Sequence, residues 1–298
     1  EAARKLAGTD LKTEFDNTCS NTGPQRVALV REAAGLPPLK DYVVEPTKVF
    51  DNMWYFGLAS QGAFVITTSQ GLILLETLNN TDEARDIIIG GMKKVGLDPT
   101  QIKYIVLSHG HPGQTDHTGG ANYLQKTYHP RIMMSKEDWD ATLPAQKPDH
   151  PLAMRDMDIV DGQKLTLGDE TITFSVLFGH SAGSLGMWIP VKWHGQSHMV
   201  WLHAGAFQTP NSDSLGALER VINDYAIKLG AEGILGIDAC AKAGAKLAIN
   251  HQMRFMEQYT LAKEIVQGEA FGGLSSVMVT VGNFGMAMNG SPSQVPAS

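Results

Sequence analysis

The chain has 298 residues, 43% of them apolar, with a formal net charge of -7 and a pI near 5.8. That length and apolar content allow one large or two small domains with a substantial core, and argue against disorder over most of the chain. The acidic balance and the lack of any Lys/Arg run argue against a nucleic-acid partner, and no apolar stretch reaches the roughly 18 residues that span a bilayer, so the expected partner is a small-molecule substrate, with no nucleic acid and no membrane.

The chain opens on Glu1 rather than Met, which fits a removed signal peptide or a trimmed terminus; an exported location, periplasmic or extracellular, is favoured over a cytoplasmic one. Cys19 and Cys240 lie far apart in sequence, and either close a long loop as a disulfide or stay as two buried thiols. Residues 1–45 are polar and Pro-punctuated, with one helix expected over 25–34, and are taken as an N-terminal extension.

From there the pattern changes to short β-branched and aromatic runs. Strands are expected at 49–58, 63–68 and 72–78, separated by Gly and Ser-Gln-Gly turns. Asn80 can cap the next element with Glu83 at its third helical position, and Ile87, Ile88, Met92 and Val95 follow at helical spacing. Asn79-Asn-Thr and Asn289-Gly-Ser also match the acceptor pattern for N-glycosylation.

The apolar run 102–108 then reads as a buried strand, and directly after it comes His109-Gly-His111-Pro-Gly-Gln-Thr-Asp116-His117. Four residues able to bind zinc crowd into nine positions. Imidazole and carboxylate suit that ion, and two histidines at i and i+2 on a strand end point to one side, where both can reach it. The alternative is a polar loop with no ligand role, against which stands the need of closely packed imidazoles for partners. Thr115 or Asp116 can cap a helix running to about residue 128; 131–135 reads as a strand, 136–142 as a short helix, and the Pro-rich stretch 144–151 as a surface loop and candidate wall of the site.

Beyond residue 157 the strands return, with a turn-bearing strand end at 158–163, a strand at 164–167, a turn at Gly168-Asp169 and a strand at 171–178 that delivers Gly179-His180. Two more strands, 185–191 and 199–202, flank a polar hairpin at 192–198. Leu215, Leu218, Val221, Ile222, Tyr225 and Leu229 trace one face of a long helix, and 271–288 is read as a terminal helix. Residues 46–298 are thus expected to form a single α/β domain of two similar halves. Sheets packed face to face and covered by helices would make a four-layer αββα sandwich with a cleft where the halves meet; two separate α/β domains fit the pattern as well.

The order of His109-Gly-His111, Asp116-His117, His180 in Leu177-Phe-Gly-His-Ser-Ala-Gly-Ser184, and His251 in Ile249-Asn-His resembles the metallo-β-lactamase superfamily over roughly 49–288. It is most like the class B β-lactamase branch, with its His-His-His and Asp-His-His zinc sites. The resemblance implies that His109, His111 and His180 hold one zinc ion and that Asp116, His117 and His251 hold a second, with Asp116 also given a catalytic role. Three protein ligands per ion leave an open position, and metal-bound hydroxide is the implied nucleophile. The implied reaction is the opening of an amide, most simply a β-lactam ring. A lactone, ester or sulfate-ester hydrolase on the same scaffold is the second reading, and a zinc-binding protein with an impaired second metal site the third.

The chain departs from the family pattern at several positions. Four residues, 112–115, stand where one is usual, so Asp116 either returns to the site through a tight bulge or is displaced, leaving one zinc instead of two. Ala206 follows Gly205 where many family hydrolases carry a metal-bridging aspartate, which counts against the thioesterase, lactonase and nucleic-acid-processing branches. His203 is a candidate substitute ligand. Glu76 stands in place of a strand-end aspartate, either orienting ligands from behind or lying solvated in a loop. His129, His150, His194 and His198 are expected on the surface, and Trp54 and Trp193 as core or cleft wall.

Overall fold

In β-rich segments successive side chains point to opposite faces, so a strand buried on both sides must be apolar throughout. The central runs 63–66 and 72–75 obey that rule. The computed structural model describes residues 43–58, 61–148, 151–204 and 212–236; the expected helices at 25–34 and 271–288, both cysteines, His150, Ala206 and His251 lie outside them.

Seven strands form the first sheet in chain order: β1 (Val43–Phe50), β2 (Met53–Leu58), β3 (Gln61–Thr68), β4 (Gly71–Leu75), β5 (Ile102–Val106), β6 (Arg131–Ser135) and β7 (Met157–Ile159). β1 to β4 pair antiparallel and β4 to β7 pair parallel. Parallel pairing requires crossovers, supplied by α1 (81–94), α2 (Ala121–Tyr128) and α3 (Lys136–Thr142). Asn80 caps α1 as its sequence suggests, its side chain accepting from the Glu83 N–H at 2.9 Å. Within α1 the stretch Ala84–Ile89 is π-helical.

The second sheet runs in the order β12-β11-β10-β9-β8, built from β8 (Lys164–Leu167), β9 (Glu170–Val176), β10 (Leu185–Trp193), β11 (Gln196–His203) and β12 (Ala231–Gly236). Only β11 and β12 are parallel, joined through α4 (212–229).

Alternation sorts the apolar side chains into three layers. Phe64, Ile66, Ile73, Leu75, Val106 and Met133 of the first sheet meet Phe174, Leu185, Met187, Ile189, Val191 and Leu202 of the second in one buried core. The intervening residues Val65, Leu72, Leu74, Ile105 and Ile132 face outward onto Ile88, Met92 and Leu124 of the covering helices. On the far side Trp188 and Trp201 stack at 5.0 Å, and Tyr225 of α4 continues the stack at 5.8 Å. The result is an αββα sandwich, as the sequence pattern implies.

Some boundaries differ. The run 49–58 is cut by a turn at Asp51-Asn52, because Asn52 is buried against the second sheet, donating to Pro190 O at 3.2 Å and Glu170 Oε1 at 3.1 Å. β4 stops at Leu75 rather than 78, since Glu76 and Leu78 take left-handed backbone angles. The helix expected from Thr115 or Asp116 begins only at Ala121, because residues 117 and 119 are bonded to Thr77 and Leu78, just beyond β4. The polar hairpin shrinks to a two-residue turn, His194-Gly195, with φ of 51° and 76°, the double positive φ that suits strand twist. β12 was not anticipated, as its sequence is short and weakly apolar. Asn79 is buried and donates to Glu83 Oε2 at 2.9 Å, so its sequon is not presented to solvent. Among the described residues no helix is long and apolar enough to cross a membrane.

Ile73 is fully buried between the sheets. Ile73→Ala is expected to cost about 2–5 kcal/mol of stability, whereas Val43→Ala on the exposed edge should stay within about 0.5 kcal/mol. Denaturant midpoints of the two variants check this.

Candidate metal centre

Buried strands end in backbone and side-chain polar groups that need partners, and the end of β5 finds them on three sides. The Ser108 N–H donates to Glu76 Oε1 at 2.7 Å, its hydroxyl lies 2.9 Å from His109 Nδ1, and its carbonyl accepts from the Leu185 N–H at 2.8 Å. The last of these bonds joins the two sheets where the site begins. His109 itself has no exposed surface. Gly110 donates its N–H to Asp138 Oδ2 at 3.0 Å, and His111 follows, half-buried.

The extra residues 112–115 close on themselves. Gly113 takes a φ of 73° and the Gln114 N–H donates back to the His111 carbonyl at 3.1 Å. This bulge returns Asp116 to the site, with Oδ2 3.7 Å from His111 Nε2. Its Oδ1 is buried and accepts no hydrogen bond among the described residues.

His117 adopts a φ of 66°, a region costly for a side-chain-bearing residue. Its carbonyl is gripped by both the N–H and the hydroxyl of Thr77, each at 2.9 Å, and its Nδ1 lies 3.7 Å from Glu76 Oε2. Gly119 then passes so close to β4's trailing loop that an added Cβ would lie 1.9 Å from Asn79 O. The chain can take this path only without a side chain there.

His180 enters from the second sheet, on the loop between β9 and β10, after Gly179 at a φ of 153°. Its ring centre is 4.6 Å from that of His109 and 4.7 Å from that of His111, and its Nε2 lies 3.0 Å from His111 Nε2. The ligand atoms of His109, His111 and His180 lie within 4.8 Å of one another. His117 adjoins this group, its ring 4.4 Å from that of His109. Three converging imidazoles beside a buried carboxylate oxygen form the nitrogen and oxygen donor set that zinc takes, so the residues fit such an ion.

The structure therefore brings together five of the six residues singled out, and His251 lies outside the described residues. Glu76 is fully buried, which overturns its reading as a solvated loop carboxylate. His203 sits at the end of β11 with its ring 5.1 Å from Trp201, and the three-histidine group forms without it. His198 pairs with Glu232 at 2.8 Å on the exposed surface, and His129 ends α2 at a φ of 58°. Trp193 packs edge-on against Phe50. The loop expected as a wall lies beside the bulge: Gly113, Gln114 and Thr115 share a small hollow with Gln146 and Lys147.

One residue escaped the sequence reading. Asp138 on α3 is fully buried and accepts from Gly110, Gly183 and Ser181; burial pushes its carboxyl up, while those three bonds pull it down. Ser135, three residues before it, accepts from its N–H at 3.2 Å, and that Ser-x-x-Asp spacing after a strand was the visible signal.

The sequence profile of the metallo-beta-lactamase superfamily matches residues 58–192. Fold and site together define a metal-dependent hydrolase. That matched segment carries five of the six site residues, and through it the chain is similar to the metallo-β-lactamase superfamily. Among solved structures, BJP-1, a subclass B3 metallo-β-lactamase of Bradyrhizobium japonicum, is 23% identical with a TM-score of 0.57, over 76% of this chain and 94% of its own. GOB-18, a metallo-β-lactamase from Elizabethkingia meningoseptica, is 21% identical with a TM-score of 0.57, over 79% and 93%. A B3 metallo-β-lactamase described by its active-site glutamic acid is 20% identical with a TM-score of 0.59, over 82% and 97%. These likenesses extend the shared fold well beyond the profile match.

Gly119→Ala puts a methyl group into the Asn79 backbone. It is expected to destabilise the chain by about 1–3 kcal/mol and to lower metal content, read by thermal unfolding and by elemental analysis of the purified protein.

Proposed function

We propose that the chain is a zinc-dependent hydrolase that opens an amide, most simply a β-lactam ring. The observation that carries this reading is the convergence of His109, His111 and His180 from two sheets on one point, with Asp116 and His117 alongside. His109, His111 and His180 would hold one zinc ion, and Asp116, His117 and His251 a second. Zinc supplies Lewis acidity and a bound water with a pKa of about 7, giving a nucleophile at neutral pH.

The protein's own residues hold this arrangement. Ser108 fixes the His109 ring from behind through Nδ1. Glu76 ties the start of the His109 loop and lies beside His117, so one buried carboxylate serves both halves of the donor set. Asp116 has an oxygen without a hydrogen-bond donor among the described residues, which suits it to a catalytic role as well as to ligation. The bulge at 112–115 keeps it within reach of His111, which favours two ions over one. Ala206 in place of a bridging aspartate supports the β-lactam reading over lactone and thioester chemistry.

A panel of chromogenic β-lactam, lactone and thioester substrates tests the proposal together with metal analysis. Hydrolysis of a β-lactam is expected, with about two zinc ions per chain, lost on chelation and restored by zinc alone. His109→Ala and His251→Ala should each lower kcat/KM at least about 100-fold. Turnover of a lactone with none of any β-lactam would sink the substrate assignment.

A further inference from the structure

We infer that Asp138 is a positioning residue whose carboxylate ties the loop bearing His109 and His111 to the loop bearing His180, setting the spacing of the three imidazoles before any ion binds. The inference rests on the zinc reading above.

Its geometry is unusual for a buried carboxylate, because the partners are backbone amides next to the candidate ligands. Oδ2 accepts from the N–H of Gly110, the residue between His109 and His111, at 3.0 Å. Oδ1 accepts from the N–H of Gly183 at 2.8 Å, three residues beyond His180. The hydroxyl of Ser181, immediately after His180, donates to Oδ2 at 2.6 Å. With its proton committed there, Ser181 accepts from the Ser184 hydroxyl at 2.7 Å, and Ser184 in turn accepts the Ser181 N–H at 2.9 Å, so the loop is closed on itself as well as on Asp138. Two loops of different sheets are thus held by one buried carboxyl group, anchored in α3 by its own N–H bond to Ser135.

Both amide donors belong to glycines, and the packing explains why. A Cβ at Gly110 would lie 2.8 Å from Thr142 Cγ2, and one at Gly183 would lie 2.1 Å from Ser135 Oγ and 2.9 Å from Glu137 Cβ. Thr142, Ser135 and Glu137 all belong to α3 or the residue before it. The two loops therefore press their backbones against the same short helix, one near its end and one at its start, to reach its aspartate.

Asp138→Asn keeps the shape but turns one acceptor oxygen into a donor facing a donor, and Ser181→Ala removes one bond alone. Hydrogen exchange on the metal-free protein, and zinc affinity measured by chelator competition with the metal alone, are compared with wild type. In Asp138→Asn, exchange should rise at 108–111 and 179–185 together while β3 is unchanged, and zinc affinity should fall 10- to 100-fold. Ser181→Ala should weaken zinc binding several-fold and carries the test if Asp138→Asn does not fold. A merely structural aspartate would lower the unfolding temperature while leaving zinc affinity of the folded protein unchanged; that result, or faster exchange at only one loop, overturns the inference. Tight zinc binding by wild type and weak binding by the variant supports it even where no substrate is turned over, which separates its fate from that of the hydrolase reading.

Discussion

The backbone of Ser108 is the point on which the site hangs. Its N–H is held by Glu76, its carbonyl by Leu185 and its hydroxyl by the ring of His109, so three neighbouring segments converge on one residue at the end of a buried strand. A strand end with no solvent to satisfy it needs such partners. Here they are drawn from Glu76 just after β4, from the start of β10 and from the first histidine, and the demand of a buried backbone becomes the device that aligns two sheets. The histidine cluster is built outward from that junction.

The same region holds most of the backbone strain. Glu76, Leu78 and His117 are three of five described non-glycine residues with positive φ, and they face one another across the Thr77 to His117 bonds. Each such conformation costs on the order of 1 kcal/mol or more and survives only where its surroundings overdetermine it. The surroundings are the apolar layers above and below, where Leu75, Leu78, Val106 and Leu107 are all buried. Stability from ordinary core packing is thereby spent on an otherwise unfavourable loop pair.

Much of this was legible in the sequence because its signals are local. The apolar runs around Ile73 and Met187, the Asn80 cap with Glu83 and the exact span of β6 and α3 depend on neighbours a few residues away. The histidine cluster was legible by spacing, and His180 by its position after a strand and by likeness to a known order of motifs. What stayed hidden depends on distant partners. The late start of α2 follows from bonds to Thr77 and Leu78, some forty residues earlier, and the split between β1 and β2 from Asn52 reaching Pro190. Asp138 looked like any acid near a helix start, since its meaning lies in glycines 28 and 45 residues away. Whether residues 112–115 would displace Asp116 was likewise a question of three-dimensional closure.

The stack of Trp188 and Trp201, inclined by only 18°, lies on the outer face of the second sheet, far in the fold from the layers that cover the first. Two indoles held that close and nearly parallel couple electronically and absorb as a pair. The second half of the molecule consequently carries its own optical signature, distinct from the indoles of Trp139 and the partly buried Trp54 in the first half, and α4 packs against the same pair through Tyr225.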